Sequence, residues 1–399
     1  VKTNPSIQLG LRENAWAFSL LVIVNAFVGA MVGVERSVLS VLAVEEFAVD
    51  STLLLLLFIV FFGIAKAVAN YLAGRGAQRY GRKNILIAGW ILALPIPALI
   101  YWAPSWNWIL AAQILLGLSQ GLSWSSTVIM KIDLVGPKKR GTAMGINESA
   151  GYLAVGVAAF AAAHYSETLG YRMAPVVLSS IFAFFGLMLS LFAVRDTTAF
   201  TRLEQSHNAG PVQRINRRVI EQAGLINNLN DGLVWGVLPV LLLNLNFSED
   251  QWGWVTGLYP AVWGIGQLAT GRWGDRLSKR LLITIGMVLQ GMVLFAGPWL
   301  TSVEAWLVFS VLLGAGTALV YPNFLAGIAD AVSPEERAGA VGRFRFFRDM
   351  GYPVGAVVSG LMMDFLGLHW TFMSIGALTV LSGCLVWVAW HGAVVREMQ

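Results

Sequence analysis

The chain has 399 residues, 57% of them hydrophobic and only 12% charged, against about 25% charged in an ordinary soluble domain. That balance excludes a water-soluble globular protein and makes the lipid bilayer its main partner. The net charge of +5 does not point to nucleic acid, because the basic residues fall in short clusters between apolar runs rather than along one polar face. A single cysteine, Cys384, excludes an internal disulfide framework, a Cys-based zinc site and a Cys-ligated iron–sulfur cluster, and neither metal nor cofactor is expected. Lys2 and Arg12 precede a long apolar run without a small-residue cleavage signature, so no removable signal peptide is read there.

Crossing about 30 Å of hydrocarbon at about 1.5 Å per residue takes about 20 residues, and twelve stretches qualify. The first, near 14–38, carries Asn25 and Arg36, eleven residues apart and therefore about 20° apart around a helix, on one face. Glu35, near the end of that span, is expected to be solvated beside Arg36. The second, 51–73, has Lys66 deep inside with Asn70 one turn on. The third is 84–103. Along the fourth, 108–132, Gln113, Gly117, Gln120, Trp124, Thr127 and Lys131 recur at alternating steps of four and three, forming one polar and small stripe. Glu148 stands shallow in the fifth, 141–163, and the sixth is 174–194.

Residues 195–218 are the only long polar segment, and they divide the spans six and six. The seventh span, 219–243, carries Asn228, Asp231 and Trp235, and the eighth, 252–270, carries Trp263. The ninth is 281–300. The tenth, 305–329, repeats the stripe as Ser310, Gly314, Thr317, Tyr321, Phe324 and Ile328. The eleventh, 339–363, holds Arg345, Arg348, Asp349 and Tyr352, with Arg345 and Asp349 spaced to pair. The twelfth is 371–392.

Of the 27 Lys and Arg residues, 22 fall on the side bearing both termini, two (Arg36 and Arg172) on the other, and three inside helices. The positive-inside rule then makes both termini cytoplasmic, in what reads as a bacterial inner membrane. Trp102, Trp106, Trp108, Trp252, Trp254, Trp299, Trp306 and Trp370 cluster at the opposite ends, as an interfacial aromatic belt would.

Asp133, Pro137 and Arg140 follow the fourth span, and Asp330, Pro334 and Arg337 follow the tenth, every pair separated by 197 positions. The same offset superposes Gly74, Arg75, Arg79 and Gly89 on Gly271, Arg272, Arg276 and Gly286. A duplicated six-helix unit explains this. The loop Gly74–Lys83 reads GRGAQRYGRK, and Gly271–Arg280 reads GRWGDRLSKR. On these motifs the whole chain resembles the major facilitator superfamily of secondary transporters, whose corresponding loop is G-x-x-x-D-R-x-G-R-K. Gln78 stands where the family has Asp, and Asp275 keeps that residue in the second copy. Gly117 replaces the family's fourth-span arginine, and the antiporters' fifth-span proline is missing after Gly156.

The resemblance implies an all-α integral membrane fold with twelve transmembrane helices in two pseudo-symmetric six-helix bundles, 1–194 and 219–399, joined by a cytoplasmic linker at 195–218, and a monomer. It also implies a substrate held between the halves, with Trp124 and Tyr321 facing each other across the path. Gly74, Gln78, Arg79, Arg82, Asp133, Arg140 and their counterparts Gly271, Asp275, Arg276, Asp330 and Arg337 would form the cytoplasmic gate, although setting topology accounts for the arginines equally well.

A charge at the centre of a bilayer helix costs about 2.5–3.5 kcal/mol on insertion scales, so each one needs a partner, a wet cavity or a task. The binding candidates are Asn25, Arg36, Lys66, Gln113, Gln120, Trp124, Asn228, Trp235, Trp263, Tyr321, Arg348 and Tyr352. Cations beside aromatics suit a small organic solute with an anionic group and an apolar body. Asp231, Glu148 and Asp349 are the candidates for taking up and releasing a proton, with Asp231 preferred for its depth; mutual neutralisation as structural ion pairs is the alternative. No G-x-x-x-x-G-K-[ST] sequence occurs, so ATP-driven pumping is not expected. No histidine lies at mid-depth beside a nucleophile, so an intramembrane enzyme is not expected either. The competing readings are a broad drug:proton exporter and a non-transporting receptor or scaffold.

Overall fold

The computed structural model describes residues 8–49, 52–207, 217–245, 247 and 249–390. Among these the regular structure is helical, without strands. In chain order the helices are α1 (Ala15–Glu45), α2 (Thr52–Tyr80), α3 (Arg82–Ala93), α4 (Pro95–Tyr101), α5 (Trp106–Val135), α6 (Arg140–Leu169), α7 (Met173–Phe192), α8 (Thr198–His207), α9 (Arg217–Asn244), α10 (Glu249–Gly274), α11 (Lys279–Ala296), α12 (Val303–Asp330) and α13 (Arg337–Ala389). Every one of the twelve predicted spans falls in this series, as an integral membrane protein of twelve helices requires.

Local chemistry explains where the helices break. Pro95, lacking an N–H, ends α3 and sits at the first position of α4, so one span is built from two helices. The eleventh and twelfth spans run together as α13 and are separated only at Gly367, whose φ of 78° is open to glycine but strained for other residues. Ser278 and Ser302 cap α11 and α12, accepting from the backbone N–H groups of Leu281 and Ala305 at 3.4 and 3.3 Å. In the polar segment after α7, residues 198–207 form α8, and Gly210, Pro211 and Arg214 lie outside the described residues.

Glycines set the helix crossings, and they do so twice. A Cβ on Gly117 would lie 2.5 Å from the Phe62 carbonyl oxygen and 3.0 Å from the Lys66 nitrogen, so α5 and α2 touch by backbone. On its repeat partner Gly314 a Cβ would lie 2.7 Å from the Tyr259 oxygen and 3.2 Å from the Trp263 nitrogen, joining α12 and α10 in the same way. Likewise a Cβ on Gly89 would lie 3.0 Å from the Ser119 carbonyl oxygen, and one on Gly286 2.6 Å from that of Gly316. Phe62, Lys66 and Ser119 map onto Tyr259, Trp263 and Gly316 at the offset of 197, so the sequence repeat is also a repeat of contacts.

The chain forms two compact units. One comprises Val1–Ala143, Ala150–Gly210 and Ser333–Phe346, and the other Met144–Ser149, Pro211–Val332 and Phe347–Gln399. Each unit therefore contains a short piece of the other repeat, the first turns of α13 in one and Met144–Ser149 of α6 in the other. In the first unit, a Cβ on Gly342 would lie 2.7 Å from Gly74 Cα and 2.6 Å from the Asn70 oxygen; in the second, a Cβ on Gly145 would lie 3.1 Å from Gly271 Cα and closer still to the Gln267 oxygen. These are again the same contact displaced by 197 positions. In the first unit Ala30, Val34 and Val38 of α1 pack on Ala158 and Ala162 of α6, with Leu178 and Phe182 of α7 beside them.

Three expectations change. Trp106 and Trp306 do not join the aromatic belt: they are buried, Trp106 against Phe47 and Phe58, and Trp306 donating its indole N–H to the Leu300 oxygen at 3.2 Å. Trp102, Trp108, Trp254, Trp299 and Trp370 are exposed as a belt requires, and the Trp252 side chain lies outside the described residues. Glu35 is not solvated; it is 1% exposed, because the neighbouring helices close over the face it occupies.

Candidate functional site

The polar stripe of α5 is buried along its whole length, from Gln113 through Gly117, Gln120, Trp124 and Thr127 to Lys131. Helical spacing puts these residues on one face, and α2 supplies the facing side chains through the Gly117 crossing. The Lys66 ammonium lies 5.5 Å from the Trp124 ring centre and 5.7 Å from that of Phe62. The Arg345 guanidinium, from the α13 segment of the same unit, lies 5.8 Å from the Trp124 ring. Tyr152 packs against that indole with centroids 5.5 Å apart. Two cations thus share one ring, whose negative π face attracts both.

Room for this arrangement comes from Gly151, where a Cβ would lie 2.6 Å from Cζ2 of Trp124. Thr127 donates to the Asn25 side-chain oxygen at 2.9 Å, and Ser125 donates to Asn70 at 2.7 Å, fixing both amides on buried α1 and α2 faces. Arg36 belongs to α1, but its side chain lies outside the described residues.

In the second unit Asp231 is 4% exposed and accepts a hydrogen bond from the Tyr259 hydroxyl. That hydroxyl is also 3.3 Å from the Thr317 hydroxyl. Tyr259 stacks on Trp263, and Trp263 meets Tyr321 edge-on, with centroids 6.0 and 6.3 Å apart. The Arg348 guanidinium lies 3.8 Å from the Tyr321 ring centre and donates to Asp349 at 2.6 Å. Asn228 is buried beside Gly351, Tyr352 is half-buried, and the Trp235 side chain lies outside the described residues. Glu148, also in this unit, is buried and accepts from the Asn147 amide at 2.5 Å.

The two arrangements are variations on one plan. Trp124 and Tyr321 are repeat partners, and Gly151 and Arg348 each stand eleven residues into their helices, beside that aromatic ring. Glycine leaves the ring to Lys66 and Arg345 in the first unit; Arg348 covers it in the second.

At the end bearing the basic loops, Asp133 is fully buried and accepts from Arg82 Nε at 3.1 Å, Thr197 Oγ1 at 3.0 Å and Arg337 Nη1 at 3.4 Å. Gln78 donates to the Glu335 carbonyl oxygen at 2.9 Å, so it serves as a neutral donor to backbone where the family's Asp would be an acceptor. The repeat of the Arg82–Asp133 pair is Lys279–Asp330, 3.0 Å apart, with both side chains partly exposed. Arg140 is buried, whereas Arg79 and Arg276 are exposed, Arg79 lying over Tyr80.

Asp196 holds the start of α3, accepting from the Lys83 N–H at 2.9 Å and from the Thr198 N–H at 2.8 Å and hydroxyl. Burial opposes its ionisation, but these hydrogen bonds outweigh that and hold its carboxyl below the usual range.

Two residues of this constellation were not singled out for binding by sequence reasoning. Tyr259 carried a usable signal, since the offset of 197 maps it to Phe62 and its i, i+4 neighbour Trp263 to Lys66. For Arg345, helical spacing suggests only Asp349 as a partner.

The sequence model of the Major Facilitator Superfamily matches residues 18–220 and 223–397. An uncharacterized MFS-type transporter of Salmonella typhimurium is 24% identical over 81% of this chain and 84% of its own length. The proton-coupled antiporter flippase LtaA of Staphylococcus saprophyticus is 23% identical over 76% of each. The crystal structure of the human organic anion transporter MFSD10 superposes with a TM-score of 0.79 at 16% identity, covering 93% of this chain and 98% of that one, which speaks for the fold.

Proposed function

Because the chain belongs to the major facilitator superfamily, we propose that it is a proton-coupled secondary active carrier of a small organic solute bearing an anionic group, working by alternating access. The observation that carries this reading is the buried indole of Trp124 with the Lys66 ammonium and the Arg345 guanidinium 5.5 and 5.8 Å from its ring centre. An anion gains charge-assisted hydrogen bonds from such cations, while an apolar body stacks on the ring. Arg348 over Tyr321 offers the same combination in the second repeat.

Asp231, hydrogen-bonded to Tyr259, is the principal proton-coupling carboxylate, with Glu148 and Asp349 as secondary ones. The moving bodies are the six-helix repeats 1–194 and 219–399, joined by 195–218, in a monomer. The basic end, with both termini, is cytoplasmic, and the membrane is a bacterial inner membrane. The Asp133 cluster and its repeat act as the gate on that side. Two relatives support coupling and substrate class by what their own names state: one is a proton-coupled antiporter and one an organic anion transporter.

The second reading is an exporter of lipophilic cations, favoured by Asp231 standing among Tyr259, Trp263 and Tyr321. Binding of aromatic carboxylates and sulfonates against lipophilic cations to the purified protein separates the two. The anion reading expects saturable anion binding that Lys66→Met and Arg348→Met weaken; saturable cation binding that Asp231→Asn abolishes, with no anion binding, selects the exporter.

A further inference from the structure

Glu35 of α1 belongs to none of the groups above, yet it is 1% exposed. Its Oε2 accepts from the Gln113 side-chain amide of α5, and its Oε1 has no partner among the described residues. Gln113 also lines a narrow crevice, with room for about one water molecule, together with Val32, Phe58, Ile59, Phe62 and Leu116. Around this level, α5 brings Gln113, with Lys131 and Asp133 only towards its far end, and α2 brings Lys66, one turn beyond Phe62. Residues 150–169 of α6 contribute His164, α7 has no charged residue, and the side chains of Glu167 and of Arg36, which is adjacent in sequence, lie outside the described residues.

Among the described residues a carboxylate here finds one amide N–H for its two oxygens and little water, which is the costly way to bury a charge. A carboxylic acid needs only an acceptor for its O–H and a donor for its carbonyl. A primary amide is suited to both states, because it offers N–H donors to the anion and a carbonyl acceptor to the acid.

We propose that Glu35 and Gln113 form a proton-binding site separate from Asp231, reached by water through the crevice beside Phe62. Hydronium in the crevice transfers its proton to a Glu35 oxygen and leaves as water; the reverse step returns the proton to water, and no other bond changes. The Gln113 amide turns to match the state of the carboxyl. The site adds to the proposed function a second proton per cycle, although its protonation is measurable on the resting protein without any solute.

The test is infrared difference spectroscopy of the purified full-length protein in lipid during an acid-to-alkaline titration. A protonated-carboxyl C=O band that titrates in wild type and in Asp231→Asn, but is missing in Glu35→Gln, is the expected result. Gln113→Met keeps Glu35 and should move that band to higher frequency, since the carbonyl loses its amide donor. In proteoliposomes, Glu35→Gln should lower the protons moved per solute about twofold. A wild type that carries no organic anion would defeat the proposed function while leaving the infrared result standing. A band unchanged by both Glu35→Gln and Gln113→Met, or a Glu35 that is ionised throughout, overturns the proton site.

Discussion

Trp124 illustrates how a single position depends on its neighbours. Its ring is accessible to two cations because residue 151 is glycine, where a Cβ would stand 2.6 Å from the indole. Gly151→Val should therefore displace the ring and weaken organic-anion binding about as much as Lys66→Met does. Losing one charged hydrogen bond costs about 1.5–3 kcal/mol, so Lys66→Met should raise the Kd roughly 10- to 100-fold, measurable by titration calorimetry. An unchanged Kd in both variants would remove Trp124 from the binding face.

Asp231→Asn should bind solute but lose accumulation driven by a pH gradient, while exchange at equal pH continues. If it still accumulates solute and Glu148→Gln does not, the coupling role passes to Glu148. Lys66 and Asp231 were legible in the sequence because intramembrane charge is costly and therefore conspicuous. Tyr259 and Arg345 were less so, since a tyrosine in a span is ordinary and an arginine's partner depends on which unit its helix turn joins. The burial of Glu35 is not legible, because distance along a span does not reveal which face neighbouring helices cover.

At the scale of elements, the Asp133 cluster and its repeat differ in burial, and burial decides their weight. Asp133 is fully buried among Arg82, Thr197 and Arg337, whereas Lys279 and Asp330 are 20% and 25% exposed. Breaking a buried pair leaves uncompensated charge at a cost of about 3–5 kcal/mol, while an exposed pair contributes about 0–1 kcal/mol. Asp133→Asn should thus lower the melting temperature of the purified protein far more than Asp330→Asn; equal effects would contradict the assignment.

Asp196 tests the join between α3 and the segment after α7. Because its carboxyl is held below the ordinary value, its stabilisation is present above about pH 4, the unfolded range, and disappears as pH falls through the folded value. Asp196→Asn should therefore melt earlier than wild type at pH 7, by less than about 1 kcal/mol given its exposure, and the gap should close on acidification. The helix α8 that follows was not legible, since a polar segment between spans reads as linker until its packing is seen.

The repeat was the most legible feature of the whole molecule, because a fixed offset in Asp133, Pro137 and Arg140 is independent of hydropathy. The crossings at Gly117 and Gly314, and the contacts of Gly342 and Gly145, carry the same offset into three dimensions. Burial of Trp106 and Trp306 was hidden, because hydropathy marks where a span ends but not whether its terminal indole turns to lipid or to protein. Orientation belongs to this scale too. Tags at either terminus should be accessible only from the cytoplasm, as the excess of basic residues on that side demands.

The central claim is proton-coupled carriage of an organic anion, and proteoliposomes with an imposed pH gradient test it most directly. A panel of aromatic carboxylates and sulfonates should include at least one solute that wild type accumulates against its gradient. Collapsing the pH difference should abolish that accumulation, Lys66→Met should weaken it and Asp231→Asn should reduce it to equal-pH exchange. Solute movement that ignores the pH gradient, or accumulation confined to lipophilic cations, would contradict the account.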